Sequence, residues 1–309
     1  MRNEGRGVVV KRIIAAMLLI VMAIFCACDT KIEDDGKITI MATIFPGYDF
    51  ARQIVGNSAD IKVEQLLPPG TESHGYEPSP KEIIAMENCD LFIYVGGESD
   101  AWVEKILESM DNPPKTVKMM ELSELVHSDH HHEGNEVYDE HVWTSPANAI
   151  SITKGICEEI CSLDKANAEK YRENSEEYCK KIEELQEEFT AFFTKNDKTL
   201  VFGDRFPFIY FAKEFGVEYI SAFPGCGGET EADAGTIAEI IDMVNNDNIK
   251  TIFHIEFSNA NVARAIAQET GTQAKLFHSC HNVSKQEIDD GATYVSLMRQ
   301  NLETLKEGI

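Results

Sequence analysis

Positive charge is scarce in this sequence. Lys and Arg number 28 against 53 Asp and Glu, a net charge of −25 over 309 residues. Phosphate binding needs clustered cations, so a nucleic-acid partner is excluded as a class. The apolar run 13–27 has fifteen residues, short of the roughly 20 that a membrane-spanning helix takes. No Cys-x-x-Cys pair occurs among the eight cysteines, which rules out a structural zinc finger by pattern. Neither His-Glu-x-x-His nor Gly-x-Ser-x-Gly is present, so two common hydrolase signatures are missing.

What the chain has is enough apolar residue, 43%, to bury one large or two medium cores. Its acidic excess raises the local concentration of cations. The N-terminus carries Arg2, Arg6, Lys11 and Arg12, then the apolar run, then Ala27-Cys28. A small residue before cysteine at the end of such a run resembles a bacterial lipobox. Residues 1–27 are therefore expected to be a lipoprotein signal peptide, Cys28 the lipidated residue, and 28–36 a polar tether. Two acyl chains suffice for stable anchoring, so the body is expected outside the cytoplasm, held at the cell membrane. Export permits disulfides, and Cys226 and Cys280, both in loops after strands, are expected to lie close together.

Apolar and β-branched runs alternate with helical patterns, which argues for α/β architecture with a mainly parallel sheet. Strands are expected at 38–45, 63–67 and 90–95, with helices at 48–55, 81–87 and 101–109. The stretch 164–196 contains no Gly or Pro and repeats apolar residues at three- and four-residue spacing, from Tyr171 to Phe193. It reads as one long amphipathic helix joining two lobes. A second α/β pattern follows, with strands at 199–203, 217–220, 251–256 and 274–277 and helices at 208–215, 231–245, 259–271 and 291–306. The expected divisions are a first lobe at 37–163, a bridging helix at 164–196 and a second lobe at 197–309.

Nine histidines remain to be explained. His127, His130, His131 and His132 crowd a polar loop, 127–136, that is a compositional metal-binding tract. His254 lies inside a strand and reads as structural. His74, His141, His278 and His281 each stand where an apolar segment gives way to a loop. Ligands in open α/β sheets sit outside the carboxyl ends of the strands, so these four are expected to converge in the cleft as a metal cage.

The segments ATIFPGYDFARQIVG, LLPPGTESHGYEPSPKEI, DEHVWTSP and GATYVSLMRQNLETLK resemble the substrate-binding lipoproteins of zinc and manganese ABC transporters, over nearly the whole chain beyond the leader. The resemblance implies two α/β lobes bridged by one long helix, a metal ion in the cleft and an ABC permease as partner, the binding protein itself being a monomer. Carried over, His74 and His141 match the first two ligands, and His278 falls at a ligand position near the end of the last strand. The third ligand departs from the family pattern: Asp204 is the available carboxylate, or else the N-cap of the next helix, with His281 as the competing ligand.

Imidazoles with at most one carboxylate suit Zn²⁺, and Mn²⁺ prefers more oxygen. The ion is expected to be transported cargo. The competing readings are a zinc-dependent hydrolase and a surface adhesin on the same scaffold.

Overall fold

Ile38–Ala42 (β1), ITIMA, opens a sheet whose other strands are Ile61–Gln65 (β2), Leu91–Tyr94 (β3) and Lys115–Lys118 (β4). All neighbours pair in parallel, in the order β2-β1-β3-β4. The all-apolar run of β3, LFIY, is buried along its length, as a strand with helices on both faces must be. The computed structural model describes residues 36–72, 75–128, 137–196, 199–223 and 232–309. Cys28, His74, His130, His131, His132 and Cys226, with most of the expected leader and tether, lie outside the described residues.

The sequence reading ran β1 on to residue 45. The strand stops at Ala42 because Pro46 occupies the first turn of helix α1, Phe45–Val55, where its fixed φ and missing N–H are harmless. Helix α2, Pro80–Glu87, is set by a capping box between Ser79 and Glu82. Helix α3 spans Ala101–Ser109. Strand β4 was not read, because only Val117 of KTVK is buried and an edge strand needs little apolar pattern.

Two helices follow, α4 at Pro146–Leu163 and α5 at Ala168–Phe193. The bridging helix has 26 residues, or about 39 Å, shorter at both ends than 164–196. Asp164 ends the preceding segment instead: its Oδ2 accepts the Tyr171 hydroxyl at 2.7 Å and Asn167 Nδ2 at 2.8 Å. That pair of bonds turns α4 back into α5.

The second sheet comprises Leu200–Phe202 (β5), Tyr219–Ser221 (β6), Thr251–His254 (β7) and Gln273–Leu276 (β8), all parallel in the order β6-β5-β7-β8. Its helices are Ile209–Phe215 (α6), Ala234–Asn246 (α7), Asn261–Thr270 (α8), Lys285–Asp289 (α9) and Tyr294–Gly308 (α10). The fold is thus α/β in two lobes, each a parallel four-stranded sheet flanked by helices.

Helix α5 joins the lobes by burying different side chains in each. Toward its start, Tyr178 packs near Phe50 of α1, ring centres 6.4 Å apart. Near its end, Phe189 meets Phe211 of α6 edge-on at 5.0 Å. Phe202, Phe208, Phe211 and Phe277 continue this aromatic core beneath the second sheet, each 0% exposed. Burying one such ring fully contributes about 1.5–3 kcal/mol. The apolar core runs without a break from β1 to α10, so the lobes are not separate bodies on a flexible hinge.

Polar bonds reinforce the junction. The Asp49 carboxylate on α1, 0% exposed, accepts Tyr178 Oη at 2.6 Å, the backbone N–H of Tyr294 at 2.8 Å and Arg52 at 2.6 Å. Arg52 also donates to the Ala292 carbonyl at 2.7 Å. The C-terminal helix is therefore tied at its start to the first lobe.

Candidate metal centre

His141 follows a short hairpin stem. Asp139 N donates to Val126 O at 2.9 Å and Ser128 N to Val137 O at 2.8 Å, while the His127 and Tyr138 rings stack at 4.5 Å. Aspartate two residues before histidine lets the carboxylate fold back under the ring. Asp139 Oδ1 accepts the His141 backbone N–H at 2.9 Å and meets its Nδ1 at 3.0 Å. The carboxylate has no proton to give, so Nδ1 carries the hydrogen and Nε2 presents its lone pair. Burial pulls the His141 imidazole down, but the charge and hydrogen bond of Asp139, with Glu140, outweigh it and leave the pKa raised; Arg205 opposes them.

His281 comes from the segment after β8. Its half-buried ring stands edge-on to Trp143 at 5.0 Å and to His141 at 5.7 Å. Two imidazoles sharing one zinc, each nitrogen about 2.0–2.1 Å from the ion, bring their ring centres to about 5 Å. The observed separation is close to that. Both rings line one cleft cavity together with Thr71, Glu72, Arg205 and Glu256. The space open to water-sized guests there is about 20 Å³, room for roughly one of them.

Glu256 also lines this cavity. It stands two residues past the end of β7, and its carboxylate accepts Ser279 N at 2.7 Å, Ser279 Oγ at 2.5 Å and His281 N at 3.2 Å. It holds the His281 segment by its backbone. The signal for it was the FHIE run, a carboxylate just past the end of an apolar strand.

The structure does not bring His278 into this group. Cys280, at φ 61°, reverses the chain between the two histidines, so their side chains part. The His278 backbone is paired with Asn301 at 2.7 and 2.8 Å, its Nδ1 accepts Cys280 N at 2.9 Å, and its Nε2 faces Glu287 at 3.5 Å. It is 2% exposed, inside the second lobe. Burial lowers its pKa, but Glu256 and Glu287 together leave it raised. The residue expected as the leading ligand of the second lobe thus stands apart from the rings of His141 and His281.

Asp204 likewise turns away from the cavity that His141 and His281 share. Its Oδ1 accepts Arg205 N at 2.8 Å and its Oδ2 Ile255 N at 3.3 Å, stitching the ends of β5 and β7 together. Nor does it cap a helix, since α6 begins after Phe208. The residue that does face the cavity is its neighbour, Arg205, whose guanidinium meets Glu72 of the first lobe at 2.9 Å.

The loop that leads to His74 is fastened from the other lobe. Asn282 Nδ2 donates to Pro68 O at 2.8 Å and Thr71 O at 2.9 Å, and Gly70 N donates to Val283 O at 2.8 Å. Trp143 Nε1 donates to Ser279 O at 2.8 Å, and Phe45 N to His281 O at 3.2 Å. The segment 279–283 is thus bonded to both lobes. His254, expected inside a strand, is the last residue of β7, with Nδ1 against the Ile255 carbonyl at 3.1 Å. Cys280 is buried and carries a free thiol. Among the described residues no three His, Cys, Asp or Glu side chains form a complete metal cage.

Comparison with known proteins places this geometry. The profile of the family described as zinc-uptake complex component A, periplasmic, matches residues 40–308. The chain is 32% identical to the high-affinity zinc uptake system protein ZnuA of Bacillus subtilis over 96% of both chains. Among solved structures it is similar to the Zn(II)-bound ZnuA-like domain of Streptococcus pneumoniae AdcA, at 27% identity and a TM-score of 0.72, covering 88% of this chain and 99% of that one. It is similar also to the laminin-binding protein Lmb of Streptococcus agalactiae, described as a bifunctional protein with adhesin and metal-transporting activity, at 27% identity and a TM-score of 0.76, covering 88% and 99%.

Proposed function

The chain belongs to the family of periplasmic A components of zinc-uptake complexes, and from that premise we propose that it captures Zn²⁺ outside the cytoplasm and delivers it to an ABC permease. His141 and His281 supply two imidazoles and His74 a third, and Glu256 lines the cavity of the first two as the nearby carboxylate. Trp143 and Asp139 hold the two described rings. The observation that carries this reading is the pair of facing imidazoles at 5.7 Å in an ion-sized cavity, with a carboxylate behind one of them. A histidine-rich donor set favours zinc over manganese.

The tether belongs to the same reading. Cleavage before Cys28 and lipidation of its thiol hold the protein at the membrane surface beside its permease; no helix of the described residues is long and apolar enough to cross a membrane. The His-rich tract of His127, His130, His131 and His132 precedes His141 in the chain and serves as a loose auxiliary store of metal. Delivery is favoured over hydrolysis by the family itself, whose members are components of zinc-uptake complexes. Zinc-limited growth tests the function. A strain lacking this protein should need added zinc and be rescued by the wild-type chain but not by His141→Ala; rescue by that variant would refute the proposal.

A further inference from the structure

Arg205 is out of place in a cation site. An arginine side chain brings a positive charge, yet this one lines the cavity that holds His141 and His281. Repulsion alone gives it no role in choosing an ion, since it acts equally on every divalent cation. What differs between ions is the demand for oxygen. Mn²⁺, Mg²⁺ and Ca²⁺ take carboxylate and water oxygens in sites of six or more ligands, whereas zinc is satisfied by four ligands rich in nitrogen.

Two carboxylates reach this cavity among the described residues, and the protein engages both. Glu256 accepts two backbone N–H groups and the Ser279 hydroxyl. Glu72 pairs with Arg205 at 2.9 Å across the lobes. Both ends of that pair are held in place. Asp204 binds the Arg205 backbone N–H, and Asn282 fastens the Glu72 loop through Thr71. The planar guanidinium suits a carboxylate better than a lysine ammonium would.

We propose that Arg205 is a specificity-determining residue: by engaging Glu72 it withholds a carboxylate from the ion and leaves the cavity to nitrogen donors. The proposal rests on the zinc-capture reading. It makes the choice of metal a matter of which oxygens are already spoken for.

The test is a competition titration of the full chain with zinc and manganese against a chromophoric chelator, in wild type, Arg205→Gln, Glu72→Gln and the double variant. Arg205 is a loop residue with a side chain 20% exposed, so its replacement opens no core cavity. Arg205→Gln should lower the preference for zinc over manganese by about tenfold or more through a gain in manganese affinity, as expected when an oxygen donor is released. Glu72→Gln should lower zinc and manganese affinity by a similar factor, leaving their ratio unchanged, and the double variant should lose the manganese gain. A smaller change in Arg205→Gln, an equal change in the double variant, or a tenfold fall in the zinc-to-manganese ratio in Glu72→Gln overturns the proposal. The last of these stands without Arg205→Gln and would make Glu72 a ligand. A wild-type chain that binds no zinc fails the functional reading itself, and that is read from the wild-type arm alone.

Discussion

The hydroxyl of Tyr210, on helix α6 of the second lobe, donates to the carbonyl of Asp139 at 2.6 Å and accepts the backbone N–H of Val126 at 3.3 Å. Asp139 is the residue that orients His141, so one phenol of the second lobe closes the base of the His141 turn in the first. Tyr210→Phe removes that link without changing the ring's packing. It should cost about 1 kcal/mol of stability, the ordinary net worth of a buried hydrogen bond. It should also weaken zinc binding, but less than loss of Asp139 does. Denaturant midpoints and zinc titration of the same sample check both.

Asp139→Asn should weaken zinc binding by about 10–100-fold, the usual cost of losing a carboxylate behind a ligating histidine. The amide can still accept the His141 backbone N–H, so the turn survives. Turned over, it presents an N–H to Nδ1 at the cost of that backbone bond, and drives the imidazole to the tautomer whose Nε2 carries the proton. Unchanged affinity in this variant would show that the charge of Asp139 does not hold His141 as a ligand.

The first-lobe half of this arrangement was legible in the sequence because it is local. Asp139 and His141 are two residues apart in the chain. The two parallel sheets were readable for the same reason, from runs such as ITIMA and LFIY. Strand β4 was not, because an edge strand like KTVK is specified by its pairing with β3 rather than by its own apolar content. The second-lobe histidines failed for a related reason. His278 is claimed by Asn301, 23 residues further on, and Cys280 takes a left-handed φ that no alternation rule anticipates. Asp204 is claimed by the backbone of Ile255, 51 residues away. Non-local partners decided each case.

Glu287 gives the protein a titratable support. The His278 imidazole, whose Nε2 stands 3.5 Å away, holds its carboxyl down at about 2 against burial, with the Ser284 cap contributing in the same direction. A depressed acid stabilises the fold above its ordinary value of 4.5 and loses that contribution as pH falls toward about 2. Glu287→Gln should therefore lower the denaturation midpoint at neutral pH and flatten its decline between those two values. A variant that declines as steeply as wild type through that window would remove Glu287 from the account.

Zinc titration of the full chain, comparing wild type with His281→Ala and His278→Ala, tests the cleft site most directly. The two histidines stand three residues apart, one at the cavity beside His141 and the other inside the second lobe on Asn301 and Glu287. One tight zinc per chain is expected in the wild type, lost by orders of magnitude in His281→Ala and changed far less in His278→Ala. Tight binding that survives in His281→Ala and collapses in His278→Ala would contradict the account.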